Sequence, residues 1–143
     1  MITQKLTFYT PKSTDSTGAI FFDTGISAGF PSPADDFKES RISLDEELIR
    51  NKEATFFARV SGQSMIGAGL DDNDLLVIDR SIPPTNNKIA VCFLDGEFTV
   101  KRLRVDGDEV WLQPENPDYP IIKITEENNF VIWGVVTNVI KSV

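Results

Sequence analysis

A serine in a short turn and a lysine in an apolar run are the two residues of this sequence that could do covalent chemistry together. Ser64 lies in the turn 61–65 (SGQSM), and Lys101 lies in the run 98–103 (FTVKRL). A serine hydroxyl is a weak nucleophile at neutral pH until a base takes its proton, and a lysine can accept that proton only when it is uncharged. Because a lysine in water has a pKa of about 10.4, Lys101 would have to be buried to act as the base.

The absence of histidine limits the kinds of catalysis that this chain can use. It excludes Ser-His-Asp and Cys-His catalysis, and also metal sites with histidine ligands. Cys92, the one cysteine, lies in the apolar run 90–93 and is interpreted as a small buried hydrophobe, since there is no histidine to activate it. A serine nucleophile here must therefore use another base, and lysine is the known substitute when its pKa is lowered.

The alternation of side chains along a strand indicates how Lys101 could be buried. In a strand, Thr99, Lys101 and Leu103 share one face, and Arg102 lies on the other. If the first face points inward, Lys101 is removed from water while Arg102 stays in contact with it.

The turn around Ser64 could also bind the negative charge that develops on a carbonyl oxygen during peptide cleavage. We expect backbone N–H groups near Gln63 and Ser64 to form this oxyanion hole, because a turn can aim consecutive amides at one point. Gly62 allows the backbone angles that such a turn needs. Met65 is expected to pack beneath the turn.

The elements that must position these residues are mostly strands. A two-residue hairpin turn is indicated at Asp95-Gly96, and a second hairpin turn at Asp106-Gly107-Asp108. We expect a mainly β fold, a compact, curved, largely antiparallel β body with short helices. Runs rich in Val, Ile and Phe predict its strands at 55–60, 75–79, 89–95, 97–104, 109–113, 121–124 and 130–140.

Helix signals are few and lie before these strands. A short helix is predicted at 43–50, where Ser43 and Glu46 fit a capping box, and a second helix start is predicted at Ser32. The acid-rich loop 67–74 lacks the ligand spacing of an EF-hand, so we interpret it as a tight connection between strands. We expect neither a metal nor another cofactor.

The composition is that of a one-domain globular protein without a membrane segment. The chain has 143 residues, of which 41% are hydrophobic and 25% charged. No apolar run approaches the roughly 20 residues that a membrane helix needs, and there is no signal peptide, so we expect a cytoplasmic protein. The net charge of -8 disfavours direct binding to nucleic acid, whose phosphates are also negative.

Residues 1–28 have the character of an arm rather than of a core. Their charges cancel, so the rest of the chain carries the whole negative charge. We expect the apolar patches 6–9 and 19–22 to dock as extended edge segments on the body or on a partner subunit. The prolines of 29–33 (GFPSP) hold that segment extended, which is the conformation that a protease active site accepts.

Together these stretches resemble the LexA/UmuD family of self-cleaving Ser-Lys proteins, of the peptidase S24 type. The resemblance implies that Ser64 is the nucleophile, that Lys101 is the general base and that the bond between Ala28 and Gly29 is cut. Residues 1–28 are then the arm removed by self-cleavage, and 29–143 are the peptidase-like domain. The matching stretches are 29–33, 61–66 (SGQSMI), 75–79 (LLVID), 95–101 (DGEFTVK) and 134–136 (GVV).

The resemblance also implies partners and a biological role. Members of this family form homodimers, and RecA filaments on single-stranded DNA stimulate their cleavage in the SOS response to DNA damage. The shortened UmuD-type product joins a UmuC-type subunit in an error-prone, translesion DNA polymerase. Neither sequence-specific DNA binding by this chain nor association with a membrane is expected.

The sequence departs from the family pattern in two places, and three other functions were weighed against self-cleavage. Asn73 stands where the family often has glycine, although asparagine also tolerates a left-handed turn, and the arm matches poorly. The chain could be a non-enzymatic β adaptor in which Ser64 and Lys101 are remnants. A LexA-like repressor is disfavoured because 1–28 is too short for a DNA-binding domain, and a signal peptidase is disfavoured because it needs a membrane anchor.

Overall fold

A computed structural model describes residues 6–11, 19–22 and 39–143. The chain divides into two compact units, one formed by Lys12–Arg50 and the other by Met1–Pro11 with Asn51–Val143. The described residues also form helix α1 (Leu44–Leu48) and two single 3-10 turns, Lys52–Ala54 and Ile66–Ala68. The strands are, in chain order, β1 (Leu6–Tyr9), β2 (Ala19–Phe22), β3 (Glu39–Ile42), β4 (Thr55–Val60), β5 (Leu75–Asp79), β6 (Ile89–Leu94), β7 (Glu97–Asp106), β8 (Glu109–Gln113), β9 (Ile122–Lys123) and β10 (Phe130–Ile140).

The larger unit is built on one eight-stranded antiparallel sheet in the order β1-β4-β5-β10-β6-β7-β8-β9. Strand β10 pairs with β5 on one side and with β6 on the other. Its register shifts against β5 between Val136 and Asn138, and against β6 between Ile132 and Gly134. Such irregularities bend a strand and increase its twist. The sheet is accordingly curled, and the expectation of a mainly β, largely antiparallel body is confirmed.

Both predicted hairpins are present. Asp95 and Gly96 join β6 to β7 with φ angles of 48° and 91°, the left-handed backbone that a tight two-residue hairpin turn requires. Strand β7 runs on to Asp106, which pairs with Glu109, so the second turn is narrower than the predicted 106–108. Strand β7 is therefore ten residues long, and Lys101 lies in its middle.

Most of the buried apolar side chains in the part of the chain that the structure describes fall into two clusters. Met65 is fully buried in the first cluster, as expected from its place beneath the serine turn, together with Ala58, Val60, Leu70, Leu76, Ile78, Val91 and Val100. The second cluster consists of Ala90, Cys92, Leu103 and Leu112.

Part of the N-terminal arm belongs to this sheet. Strand β1 pairs with β4, with Leu6 opposite Val60 and Phe8 opposite Ala58. Leu6 and Phe8 pack against the first cluster, and the Phe8 ring lies 4.9 Å from the ring of Trp133. The prediction that 6–9 docks as an extended edge segment is confirmed for a position on the body.

The smaller unit pairs β2 with β3, placing Ala19 opposite Ile42. The side chain of Ser43 accepts a hydrogen bond from the Glu46 N–H at 3.5 Å, which confirms Ser43 as the helix N-cap, one half of the predicted capping box. Helix α1 ends at Leu48 rather than at 50. Strand β3 was not predicted. The segment 29–33 and the helix start at Ser32 lie outside the described residues.

Candidate functional site

The turn that carries Ser64 is fixed by the acidic loop ahead of β5. The Val60 N–H donates to the Asp74 carbonyl at 2.9 Å, and the Val60 carbonyl accepts from the Asn73 N–H at 2.7 Å. The next anchor is the Gly62 N–H, which donates to Asp72 Oδ1 at 2.9 Å. Gly62 has a φ of 111°, and Asn73 has a φ of 72°, so both adopt the left-handed backbone expected of them.

Two carboxylates of the same loop bind Lys141, which directly follows the last strand, β10. Lys141 Nζ contacts Asp71 at 2.6 Å and Asp74 at 2.5 Å. Burial alone would raise the pKa of Asp74, but hydrogen bonds from Lys141 and from the Asp71 N–H hold that pKa below its ordinary value. Within 6–11, 19–22 and 39–143, no group of three potential ligands is placed to hold a metal ion. The loop's hydrogen bonds to Val60 and Gly62 make it a tight connection between β4 and β5.

The structure brings Ser64 and Lys101 together. Lys101 lies opposite Ala90 in the middle of β7, and only 6% of it is exposed. Its Nζ donates to Ser64 Oγ at 3.0 Å, to Thr99 Oγ1 at 2.7 Å and to the Val100 carbonyl at 3.0 Å. The inward orientation expected for this face of the strand is thus observed.

Burial lowers the pKa of Lys101 from 10.5 to about 8. The physical cause is that an ammonium group loses its hydration when it is buried, so the neutral amine is favoured. A negative charge on Cys92 would raise the pKa of Lys101 again. However, burial raises the pKa of Cys92 to about 12, so its thiol stays uncharged near pH 8 and that effect does not operate.

This arrangement can transfer a proton from serine to lysine. Once the Lys101 ammonium has lost a proton, its nitrogen lone pair lies at hydrogen-bond distance from Ser64 Oγ. The amine can then take the hydroxyl proton as the oxygen attacks a carbonyl carbon.

A second loop supports the serine turn from the other side. The Gly67 N–H donates to the Glu115 carbonyl at 2.8 Å, and a Cβ atom at Gly67 would lie only 2.5 Å from that oxygen. Asn116 Nδ2 donates to the Gln63 carbonyl at 2.9 Å. Glu115 also forms an ion pair with Arg102, at 2.5 Å, next to Lys101 in β7. The loop around 115–116 thus contacts the chain on both sides of Ser64.

The predicted site residues have different outcomes. Ser64 and Lys101 are in contact, whereas Ala28 and Gly29 lie outside the described residues, so the cut between them stays a prediction. The strand periodicity placed Thr99 on the same face as Lys101, but the sequence indicated no role for it. Sequence reasoning missed Asn116, whose one local signal was that it lies in a turn-rich stretch.

Among the described parts of the chain, no helix is long and apolar enough to cross a bilayer. The cytoplasmic location expected from the sequence stays a prediction.

Comparison with known proteins places this geometry in a family. The model of the family described as "Peptidase S24-like" matches residues 20–137. Protein MucA of Salmonella typhimurium is 44% identical over 119 residues, which cover 82% of this chain and 81% of that protein. Protein ImpA of Salmonella typhimurium is 42% identical over 130 residues, which cover 91% and 88%.

A longer relative shares the same region. The LexA repressor of Acidithiobacillus ferrooxidans is 37% identical over 119 residues, which cover 81% of this chain but 58% of that protein. The family model spans most of the chain, and the two shorter relatives align over most of their own length. The chain therefore belongs to the Peptidase S24-like family, as a UmuD-type member of the LexA/UmuD group of self-cleaving, SOS-related proteases.

Proposed function

We propose that this protein is an autocatalytic serine endopeptidase that cuts its own bond between Ala28 and Gly29. Ser64 is the nucleophile and Lys101 is the general base. The observation that carries this proposal is the 3.0 Å contact between Lys101 Nζ and Ser64 Oγ at a site almost closed to water. The lowered pKa of Lys101, about 8, supports it, because a useful general base has a pKa near the working pH.

The reaction follows the usual course of serine acyl transfer, with lysine in place of histidine. Neutral Lys101 takes the Ser64 proton while Oγ attacks the Ala28 carbonyl carbon, and N–H groups near Gln63 and Ser64 stabilise the oxyanion. The Lys101 ammonium then protonates the Gly29 nitrogen as the peptide bond breaks. Water, deprotonated by Lys101, releases Ala28 from the acyl-enzyme.

The biological role that we propose follows from the family. The protein is a homodimer of the cytoplasm, and RecA filaments on single-stranded DNA stimulate its cleavage during the SOS response. The product 29–143 serves a UmuC-type polymerase subunit in translesion synthesis. In this role the activator favours the pose in which Ala28 and Gly29 lie across the serine turn, and it supplies no catalytic group.

A non-enzymatic adaptor of the same fold is the alternative, and the burial of Lys101 argues against it. An ammonium held away from water costs stability, and an adaptor without the reaction has no use for that cost. The two functions differ in whether the pure chain produces a fragment.

The test is a mass measurement on the purified full chain after incubation from pH 7 to 10, with and without RecA and single-stranded DNA. We expect wild type and the control Lys88→Ala, which replaces an exposed lysine, to yield a fragment that begins at Gly29. Ser64→Ala and Lys101→Ala should stay intact. A fragment with another N-terminus would refute the cleavage site, and cleavage of Ser64→Ala would refute the nucleophile.

A further inference from the structure

The side chain of Asn116 joins two pieces of backbone beside Ser64. Its Nδ2 donates to the Gln63 carbonyl at 2.9 Å, and its Oδ1 accepts from the Asp118 N–H at 3.0 Å. Only 9% of Asn116 is exposed. Both ends of the carboxamide are therefore engaged at a site with little water to replace either bond.

These two partners fix the orientation of the carboxamide. The Asp118 N–H can only donate, so the side-chain atom facing it must be the oxygen of Asn116. The Gln63 carbonyl can only accept, so the atom facing it must be the NH₂ group. A carboxylate of the same shape would keep the bond from the Asp118 N–H but lose the bond to the Gln63 carbonyl. Only asparagine makes both bonds at this position.

The Gln63 carbonyl shares a peptide plane with the N–H of Ser64. In a trans peptide these two groups point in opposite directions within one plane, so an anchor on the carbonyl also fixes the direction of the N–H. The rotations that set this plane are those at Gln63 and Ser64 themselves, and the Gln63 carbonyl also accepts a long hydrogen bond from the Ile66 N–H at 3.4 Å. The bond from Asn116, at 2.9 Å, is the shorter of these two anchors on the carbonyl.

The anchor itself is held in place. The Asn116 carbonyl accepts from the Tyr119 N–H at 3.1 Å, and the neighbouring Glu115 carbonyl accepts from the Gly67 N–H at 2.8 Å. The loop is therefore fastened to the chain both before and after Ser64.

We propose that Asn116 is a positioning residue for self-cleavage, which orients the Gln63–Ser64 peptide so that the Ser64 N–H can serve the oxyanion hole. This inference rests on the proposed Ser64/Lys101 reaction. Asn116 acts through the peptide, since its side chain binds the Gln63 carbonyl and the Asp118 N–H.

The expected signature of Asn116→Ala is a lower plateau in the pH-rate profile with an unchanged midpoint. Removing one oxyanion donor typically slows a reaction by about 100- to 1000-fold. Because this change misaligns a donor without deleting it, we expect a loss of about 10- to 100-fold. A merely structural role would instead let water reach Lys101 and move the midpoint from about 8 toward 10.5.

Two further variants separate the bond to Gln63 from the stability of the loop. Asn116→Asp retains the acceptor for the Asp118 N–H but lacks the donor to Gln63, so its plateau should fall at least as far as that of Asn116→Ala. Lys88→Ala, at an exposed lysine outside this loop, leaves every bond between the loop and the serine turn in place, so it should cleave at the wild-type rate. Thermal unfolding of each variant verifies that it is folded.

The experiment measures activator-free cleavage of the full chain from pH 7 to 10 for these variants, wild type and Ser64→Ala. A wild-type plateau in Asn116→Ala or in Asn116→Asp, or a midpoint shifted toward 10.5 in Asn116→Ala, would overturn the positioning role while leaving the Ser64/Lys101 reaction intact. If Ser64→Ala still cleaves, the proposed function itself fails, whatever the Asn116 variants do.

Discussion

Lys101 Nζ lies 3.0 Å from Ser64 Oγ, although the two residues come from different elements, the middle of β7 and the turn after β4. The lysine has three acceptors, the hydroxyls of Ser64 and Thr99 and the Val100 carbonyl. Three acceptors match the three hydrogens of an ammonium group. These bonds satisfy the hydrogens of the ammonium form, but burial disfavours its charge, and Lys101 must lose a proton before it can act as a base.

The first prediction concerns pH. Below pH 8 most Lys101 side chains are charged and cannot take the Ser64 proton, since burial lowers the pKa from 10.5 only to about 8. At pH 7 roughly one-tenth are neutral, so the first-order rate constant of activator-free cleavage should rise about tenfold to a plateau above about pH 9. Fragment formation followed by mass over time gives this profile.

Two variants serve as controls for that profile. Lys101→Arg should not cleave anywhere in this range, because a guanidinium stays protonated. Lys88→Ala should reproduce the wild-type curve. A flat wild-type profile, or one with a midpoint near 10.5, would contradict the assignment of a buried lysine as the base.

The second prediction concerns Thr99, whose hydroxyl lies 2.7 Å from Lys101 Nζ. Thr99→Val keeps the shape of the side chain but removes an acceptor that favours the charged form, so the pKa of Lys101 should fall further. The amine also loses an anchor, so the plateau should drop by about tenfold. A pH-rate profile should thus show a lower plateau and an earlier midpoint, whereas a midpoint at higher pH would contradict the role of this bond.

The strands were largely predictable because alternating or continuous apolar runs encode them locally. Strand β4 (Thr55–Val60) and strand β5 (Leu75–Asp79) have the predicted bounds. Strand β3 (Glu39–Ile42) was missed because three of its four residues are polar, and its pairing with β2 depends on a segment distant in the chain.

The candidate site was predictable in part for a similar reason. The inward face of Lys101 follows from strand periodicity, and its pairing with Ser64 came from the resemblance to a family. The bond between Asn116 and the Gln63 carbonyl joins two loops 53 residues apart. No periodic pattern describes such a contact, since it depends on how both loops sit on the finished sheet.

The third prediction concerns the arm strand β1. Phe8 is half-buried and lies 4.9 Å from both the Phe98 and Trp133 rings. Phe8→Ala in a Ser64→Ala background, which keeps the chain whole, should lower the free energy of unfolding by about 1 to 3 kcal/mol. Tyr9→Ala is the matched control, because Tyr9 is 48% exposed on the same strand and should change stability little. Denaturant unfolding of the two variants measures the difference, and equal effects would show that β1 is not held by Phe8.

The fourth prediction concerns the product of cleavage. Strands β4 to β10 all follow residue 50, and both buried clusters lie in that part of the chain. The fragment 29–143 should therefore keep a cooperative thermal transition, although it loses the cover that β1 gives to β4, and we expect the proposed homodimer to persist. Calorimetry and sedimentation of the purified fragment measure the two properties. Loss of the transition would show that the arm is an obligatory part of the fold.

The fifth prediction is that Lys101 lowers the stability of the fold at neutral pH. Below pH 8 it is protonated in both the folded and the unfolded chain, so the folded state bears the full cost of a buried charge. Between pH 8 and 10.5 the unfolded chain still binds the proton that the folded chain has lost, so the free energy of unfolding rises with pH by up to about 3 kcal/mol.

Replacement of Lys101 by methionine tests this cost directly. In a Ser64→Ala background, Lys101→Met should stabilise the protein at pH 7 by about 1 to 3 kcal/mol, less than the full cost because the bonds to Thr99 and Val100 are lost. The advantage should shrink as pH rises through 8 toward 10.5, where the parent lysine becomes neutral in the folded state and then in the unfolded state. Because all other titrating groups are common to both proteins, the difference between their unfolding free energies at each pH isolates Lys101. An advantage that stays constant with pH would mean that the folded lysine titrates like one in water, and the basis for its action as a neutral base near pH 8 would be lost.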